Sequence, residues 1–267
     1  MFIIDFHTHC FPDAIAGRAM SLLAAESGLP FFHDGTAAGL DENARAEGCG
    51  GYVVLPIATN PRQTASVNRF AAGIQDPARH IYSFGSVHPE NGDFREHLRA
   101  VKEMGLFGVK LHPEYQSFHV NDEKIFPLYE EIFRHGLPLL FHAGEDEGFS
   151  APWHAEPYKI AEVARRYPEA VIIAAHLGGY RRWREAADCL SQLGNVYMDV
   201  SFSAGRMPDE DFQEACSRWP SERILFATDN PWQSVTAAIE AVKRLPCSER
   251  EKELIFSGNA LRVLRVS

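Results

Sequence analysis

Eight short runs rich in β-branched and aromatic residues recur along the chain, at Phe2–Phe6, Tyr52–Ile57, Ile81–Val87, Phe107–Leu111, Pro138–Phe141, Val171–Ala175, Val196–Val200 and Ile224–Ala227. Amphipathic stretches of helical length lie between them, at Asp41–Glu47, Phe94–Met104, Asp122–His135, Pro157–Arg166, Tyr180–Gln192, Asp209–Arg218 and Ser234–Arg244. Strands that alternate with helices run parallel, because each crossover brings the chain back to the same end of the sheet. The runs are nearly continuous in apolar residues rather than alternating, so the sheet is covered on both faces. Eight such repeats in 267 residues are the size of one (β/α)8 TIM barrel spanning residues 1–267.

Helix ends support that phase. Gly105, Gly136 and Gly194 fall between a helical pattern and the next strand, where a left-handed residue closes the helix. The stretch from Cys10 to Leu40 is too long for a simple loop and holds an apolar piece, Ile15–Ala25, which reads as a helical insertion after the first strand. Such an insertion sits on the face that carries barrel active sites and could act as a lid. Ser248–Arg265 reads as a final helix.

Composition narrows the function. Lys+Arg at 26 against Asp+Glu at 36 give a net charge of −10, which lacks the basic footprint of a nucleic-acid or anionic-membrane binder and favours a small-molecule substrate. Five cysteines without a CxxC pair fit a reducing compartment, so a cytoplasmic location is expected. No apolar run approaches the roughly 18 residues of a membrane span. Cys10 reads as a packing thiol rather than a ligand. A homo-oligomeric state is left open.

Six of the twelve histidines, His7, His9, His88, His112, His142 and His176, fall at or just past strand ends, which a closed barrel gathers on one face. His7-Thr8-His9 is the sharpest piece, since alternate strand residues point to one side and can offer two imidazoles to one cation. His142, His176 and Asp229 end three other strands. This set suits zinc or a first-row neighbour, and an open coordination position would create a metal-activated water at neutral pH. Asp229 could then carry the proton. Lys110, at the end of the fourth strand, is either an ordinary lysine or, if carbamylated, a bridge between two cations; zinc, as one or two ions, is the expected cofactor. His112 could contact substrate, as could Trp232, just past Asp229. Arg182 could reach an anionic group. His33, His80, His97, His119, His135 and His154 lie in loops or helical patterns and receive no role.

The motifs DFHTH, GVKLHP, LLFHAGE, IIAAHLGG, ILFATDNPW and GNALRVL together resemble the amidohydrolase superfamily, in its amidohydrolase-related branch of TIM-barrel metal-dependent hydrolases, which also includes decarboxylases. The resemblance covers the whole chain. It implies metal ligation by His7, His9, His142, His176 and Asp229, usually to zinc. In the decarboxylase relatives the fourth-strand lysine is generally absent and His176 would serve as an acid–base group beside a single metal. Lys110 therefore tilts the expectation toward hydrolysis of a small amide, ester or lactone, with Asp229 and His176 as catalytic groups. The alternative is non-oxidative decarboxylation of a small aromatic or unsaturated carboxylic acid. A non-catalytic barrel with a structural metal is disfavoured, because structural zinc sites are closed tetrahedra of Cys and His.

Overall fold

Apolar strands buried from end to end set the architecture. In the computed structural model, which describes residues 1–266, these strands are parallel and alternate with helices, so the chain is an α/β fold. It divides into two compact units, the first formed by Met1–Val54, Asp76–Tyr82 and the chain from Asp199 onward, the second by Leu55–Gln75 and Ser83–Met198.

In the first unit, β1 (Ile4–Thr8) pairs in parallel with β2 (Gly51–Val54) in the register Ile4↔Gly51 and Asp5↔Tyr52, with an irregularity before Thr8↔Val54. Tyr52 in turn donates its N–H to His80 O, just before β3 (Ile81–Ser83). The other edge of β1 meets the chain around β8 (Ile224–Leu225): Phe6 N–H donates to Phe226 O at 2.9 Å. All five residues of β1 are buried, polar ones included, as expected for a strand covered on both sides.

The insertion after β1 contains α1 (Asp13–Ser27), which runs past the expected Ile15–Ala25 at both ends and closes on Gly28 in the left-handed region. A second helix, α2 (Ala37–Ala46), follows, and the Thr36 side chain caps it by accepting from Gly39 N. The C-terminal helix is present, but it is broken. An α-helical turn at Glu249–Glu253, opened by a Ser248–Glu251 capping box, passes through a π turn at Leu254–Gly258 into Asn259–Leu264.

The second unit is a ladder of β4 (Val109–Leu111), β5 (Leu139–Phe141), β6 (Ile172–Ala174) and β7 (Val196–Asp199), whose last residue, Asp199, belongs to the first unit. Each is parallel to the next, with Lys110 opposite Leu140 and Leu140 opposite Ile173. It also holds a helix that the periodicity does not reveal, α3 (Thr64–Ile74), whose inward positions include Thr64 and Asn68. These polar residues are satisfied by Asn91 and by the backbone of Ser86, so the inner face carries no apolar stripe. Gly105 and Gly136 take left-handed φ of 70° and 67°, as expected, but Gly194 does not. The preceding helix, α4 (Trp183–Leu190), instead ends at Ser191 and the chain turns through Leu193. No helix among the described residues is long and apolar enough to cross a membrane.

Candidate metal centre

In the first unit, β1 carries His7 within the strand and His9 one residue past it. The alternation of strand residues turns both rings to one side, where their centroids lie 5.0 Å apart. The chain after β8 is laced alongside: Asp229 N–H donates to His7 O at 2.8 Å and His9 N–H donates to Asn230 O at 2.7 Å. Asp229 Oδ1 thereby stands 2.9 Å from His9 Nε2 and 3.4 Å from His7 Nε2. Asp229 has φ of 65°, a left-handed conformation that aspartate tolerates better than most residues and that recurs at functional sites.

The orientation of His7 is set from its other nitrogen. Asp199, which ends β7, lies with Oδ2 2.9 Å from His7 Nδ1. Ser201 donates its hydroxyl and its N–H to the same carboxylate. A carboxylate can only accept, so Nδ1 bears the proton and the Nε2 lone pair faces Asp229 and His9. Two imidazole nitrogens and a carboxylate oxygen, all within 4.8 Å of one another in a largely buried place, are the donor set of a divalent cation.

The neighbouring groups serve as braces. Asp5 is fully buried and accepts hydrogen bonds from His7 N, Thr228 N and Thr228 Oγ1; burial outweighs those bonds and pushes its carboxyl up to about 7. Burial, with a smaller contribution from Asp13, pushes the Cys10 thiol up to about 12, in keeping with a packing role. Trp232 is half-buried and donates its N–H to Asp229 O at 2.9 Å.

The second unit gathers its own histidines. His142 follows β5 directly, and His176 lies two residues past β6 with φ of 59°. His142 Nε2 is 2.8 Å from Glu145 O, an acceptor, so it carries the proton; His142 Nδ1 then accepts from His176 Nε2 at 3.1 Å. His112 stacks on His142 at 4.3 Å, and Asp146 Oδ2 lies 3.4 Å from His112 Nε2 and 3.5 Å from His142 Nε2. Lys110 is 1% exposed within β4. Arg182 is held by Glu185 at 2.7 Å, and its Nε lies 3.7 Å from Glu145.

Four participants escape the sequence reading. Asp199 and Ser201 close the seventh strand run, a strand-end position like those that pointed to the histidines. Asp146 sits in a visibly acidic loop. His33, set aside as a loop histidine, is buried: its Nδ1 accepts from Gly35 N at 3.0 Å, and burial lowers its pKa to about 4.

The family model for amidohydrolases matches residues 4–266. The chain belongs to the amidohydrolase family. Solved structures with the same fold include an uncharacterised TIM-barrel protein from Bordetella bronchiseptica, at 20% identity and TM-score 0.79, covering 99% of both chains. A 5-carboxyvanillate decarboxylase from Sphingomonas paucimobilis is 15% identical with TM-score 0.71, covering 100% of this chain and 99% of its own. A dihydroxybenzoic acid decarboxylase from a Polaromonas species, solved with manganese and 2-nitroresorcinol, is 16% identical with TM-score 0.71, covering 99% and 97%. No curated protein matches the chain. At these identities the structures speak to the fold, which is that of amidohydrolase-family enzymes.

Proposed function

We propose that this amidohydrolase-family chain is a divalent-metal-dependent, non-oxidative decarboxylase of a small aromatic or unsaturated carboxylic acid. The observation that carries the reading is how many cations have ligands standing ready. In the first unit His7, His9 and Asp229 converge on one position; in the second, His112, His142 and Asp146 also bring ligand atoms within 4.8 Å of one another, but both ring nitrogens of His142 are engaged, by Glu145 O and by His176. A two-cation hydrolase bridged by a carbamylated Lys110 would need His142 as a ligand, and its lone pair is committed to a neighbouring N–H. The decarboxylases of like fold support the same reading, and the manganese in one of them favours manganese over the zinc expected from sequence.

When bound, the cation would supply positive charge that holds a substrate carboxylate or phenolate oxygen. The bond between the ring carbon and the carboxylate carbon breaks, its electron pair stays on the ring carbon, and a proton takes the place of the departing carbon dioxide. Asp229 has two carboxylate oxygens, so one can serve the cation while the other takes or gives a proton. His7 is held in register by Asp199. His176 is kept as a proposed acid–base group and His142 as the acceptor of its N–H. Of the proposed substrate contacts, His112 and Trp232 stand ahead of Arg182, whose charge two glutamates already offset.

The test is turnover of a panel of hydroxybenzoates, lactones and N-acyl compounds by manganese-loaded or zinc-loaded protein in D2O. Decarboxylation places deuterium on the carbon that lost its carboxylate. A lactone or N-acyl compound opened to its acid, with no carbon dioxide released from any member of the panel, would restore hydrolysis as the better reading.

A further inference from the structure

One buried imidazole nitrogen in the first unit has no hydrogen-bond partner. His33 lies in the insertion between α1 and α2, and its Nδ1 accepts the N–H of Gly35, so the neutral ring carries its proton on Nε2. That Nε2 is buried and makes no hydrogen bond, a state that folded proteins rarely leave without a use. The segment carrying His33 is tied on both sides to residues beside the cation ligands. Phe32 N donates to Pro231 O at 2.9 Å, two residues after Asp229, and Phe11 N donates to Gly35 O at 2.8 Å, two residues after His9. The His33 ring also lies within electrostatic reach of His9. Gly35 makes this turn possible: its φ is 83°, and a Cβ there would meet Met20 Cγ at 2.5 Å.

We propose that His33 is a substrate-binding residue, its Nε2–H donating to an anionic oxygen of a carboxylate or phenolate held at the His7–His9–Asp229 centre. A nitrogen that bears a proton cannot ligate a cation but donates to an acceptor, and beside a cation centre that takes an anionic substrate the acceptor it suits is an anionic oxygen. The inference rests on the reading that this centre binds a cation and takes an anionic substrate, and it does not depend on which bond then breaks.

Benzoate, a carboxylate with no hydroxyl group, is the probe. Calorimetric titration of the manganese-loaded full chain compares wild type with H33L, which lacks a donor, and with H33Q, whose amide N–H replaces it. Manganese content and thermal melting are measured for each. Loss of one charge-assisted hydrogen bond should weaken benzoate about tenfold to a hundredfold in H33L, H33Q should recover most of it, and manganese content should be the same in all three. Should H33L fail to fold, H33N, whose shorter amide falls short of the Nε2 position, takes its place. The proposal is overturned by H33L, or H33N in its place, binding benzoate as tightly as wild type, by equal weakening in H33Q, by loss of manganese in a folded variant, or by wild type that holds manganese and no benzoate. Wild type that holds no manganese overturns instead the reading of the centre itself.

Discussion

Replacing Asp199 tests whether His7 is a ligand oriented from behind. The His7 Nδ1 to Asp199 Oδ2 contact is 2.9 Å, and the two side chains are 1% and 0% exposed, so neither can turn to water when its partner goes. In D199N the carboxylate charge is lost and an amide NH2 replaces one of the two acceptor oxygens, so the His7 tautomer with its Nε2 lone pair toward Asp229 and His9 is no longer enforced. Loss of such an orienting partner costs about 10–100-fold in metal affinity, or about 1.4–2.7 kcal/mol. D199A is harsher, because His7 Nδ1–H and the Ser201 hydroxyl and N–H would all lose an acceptor. At about 1–3 kcal/mol per buried unsatisfied donor, D199A should lower unfolding stability more than D199N. Competition of each protein against a calibrated chelator gives the manganese dissociation constant, and urea titration gives stability. A D199N affinity within twofold of wild type would refute the argument, since His7 would then keep its ligating tautomer without the carboxylate.

The remaining expectations concern the same unit and Lys110. Elemental analysis should find one divalent cation per chain, lost in H9N and D229N, and D229N should reduce turnover about 10²–10⁴-fold if it also moves the proton. K110M, close in shape to the buried lysine, should keep that single cation; a fall from two cations to one would point back to a carbamate bridge. Cys10, raised to about 12 by burial, should resist iodoacetamide at pH 8 in the folded protein and react once urea unfolds it. His33, lowered to about 4, makes the folded state bind fewer protons than the unfolded chain between about pH 6.5 and 4. Stability of the metal-free protein should therefore decline as pH falls through that window, and H33Q should flatten the decline by up to about 3 kcal/mol; identical pH profiles for the two proteins would contradict it.

The alternation of strands and helices was legible because hydrophobic periodicity is a local property, written in residues a few positions apart. The same held for His7 and His9 at the end of β1, whose two-residue spacing aims both rings one way wherever the strand is placed. α3 was illegible for the converse reason: Thr64 and Asn68 turn polar side chains inward, and only their partners at Asn91 and Ser86 make that tolerable. Gly194 carried the sign of a helix end, yet the chain turns without left-handed backbone there.

By itself, then, the chain determined which residue types terminate its strands, and so the class of chemistry available to it. Which of those groups hold a lone pair ready was decided by tertiary structure. Asp199 reaches His7 across 192 positions, Glu145 and His176 occupy His142, and Gly35 leaves the outer nitrogen of His33 bearing a proton with no acceptor. Hydrogen-bond partners are chosen by separations of a fraction of an ångström between atoms whose positions depend on how distant segments pack, and no pattern of neighbouring residues records them.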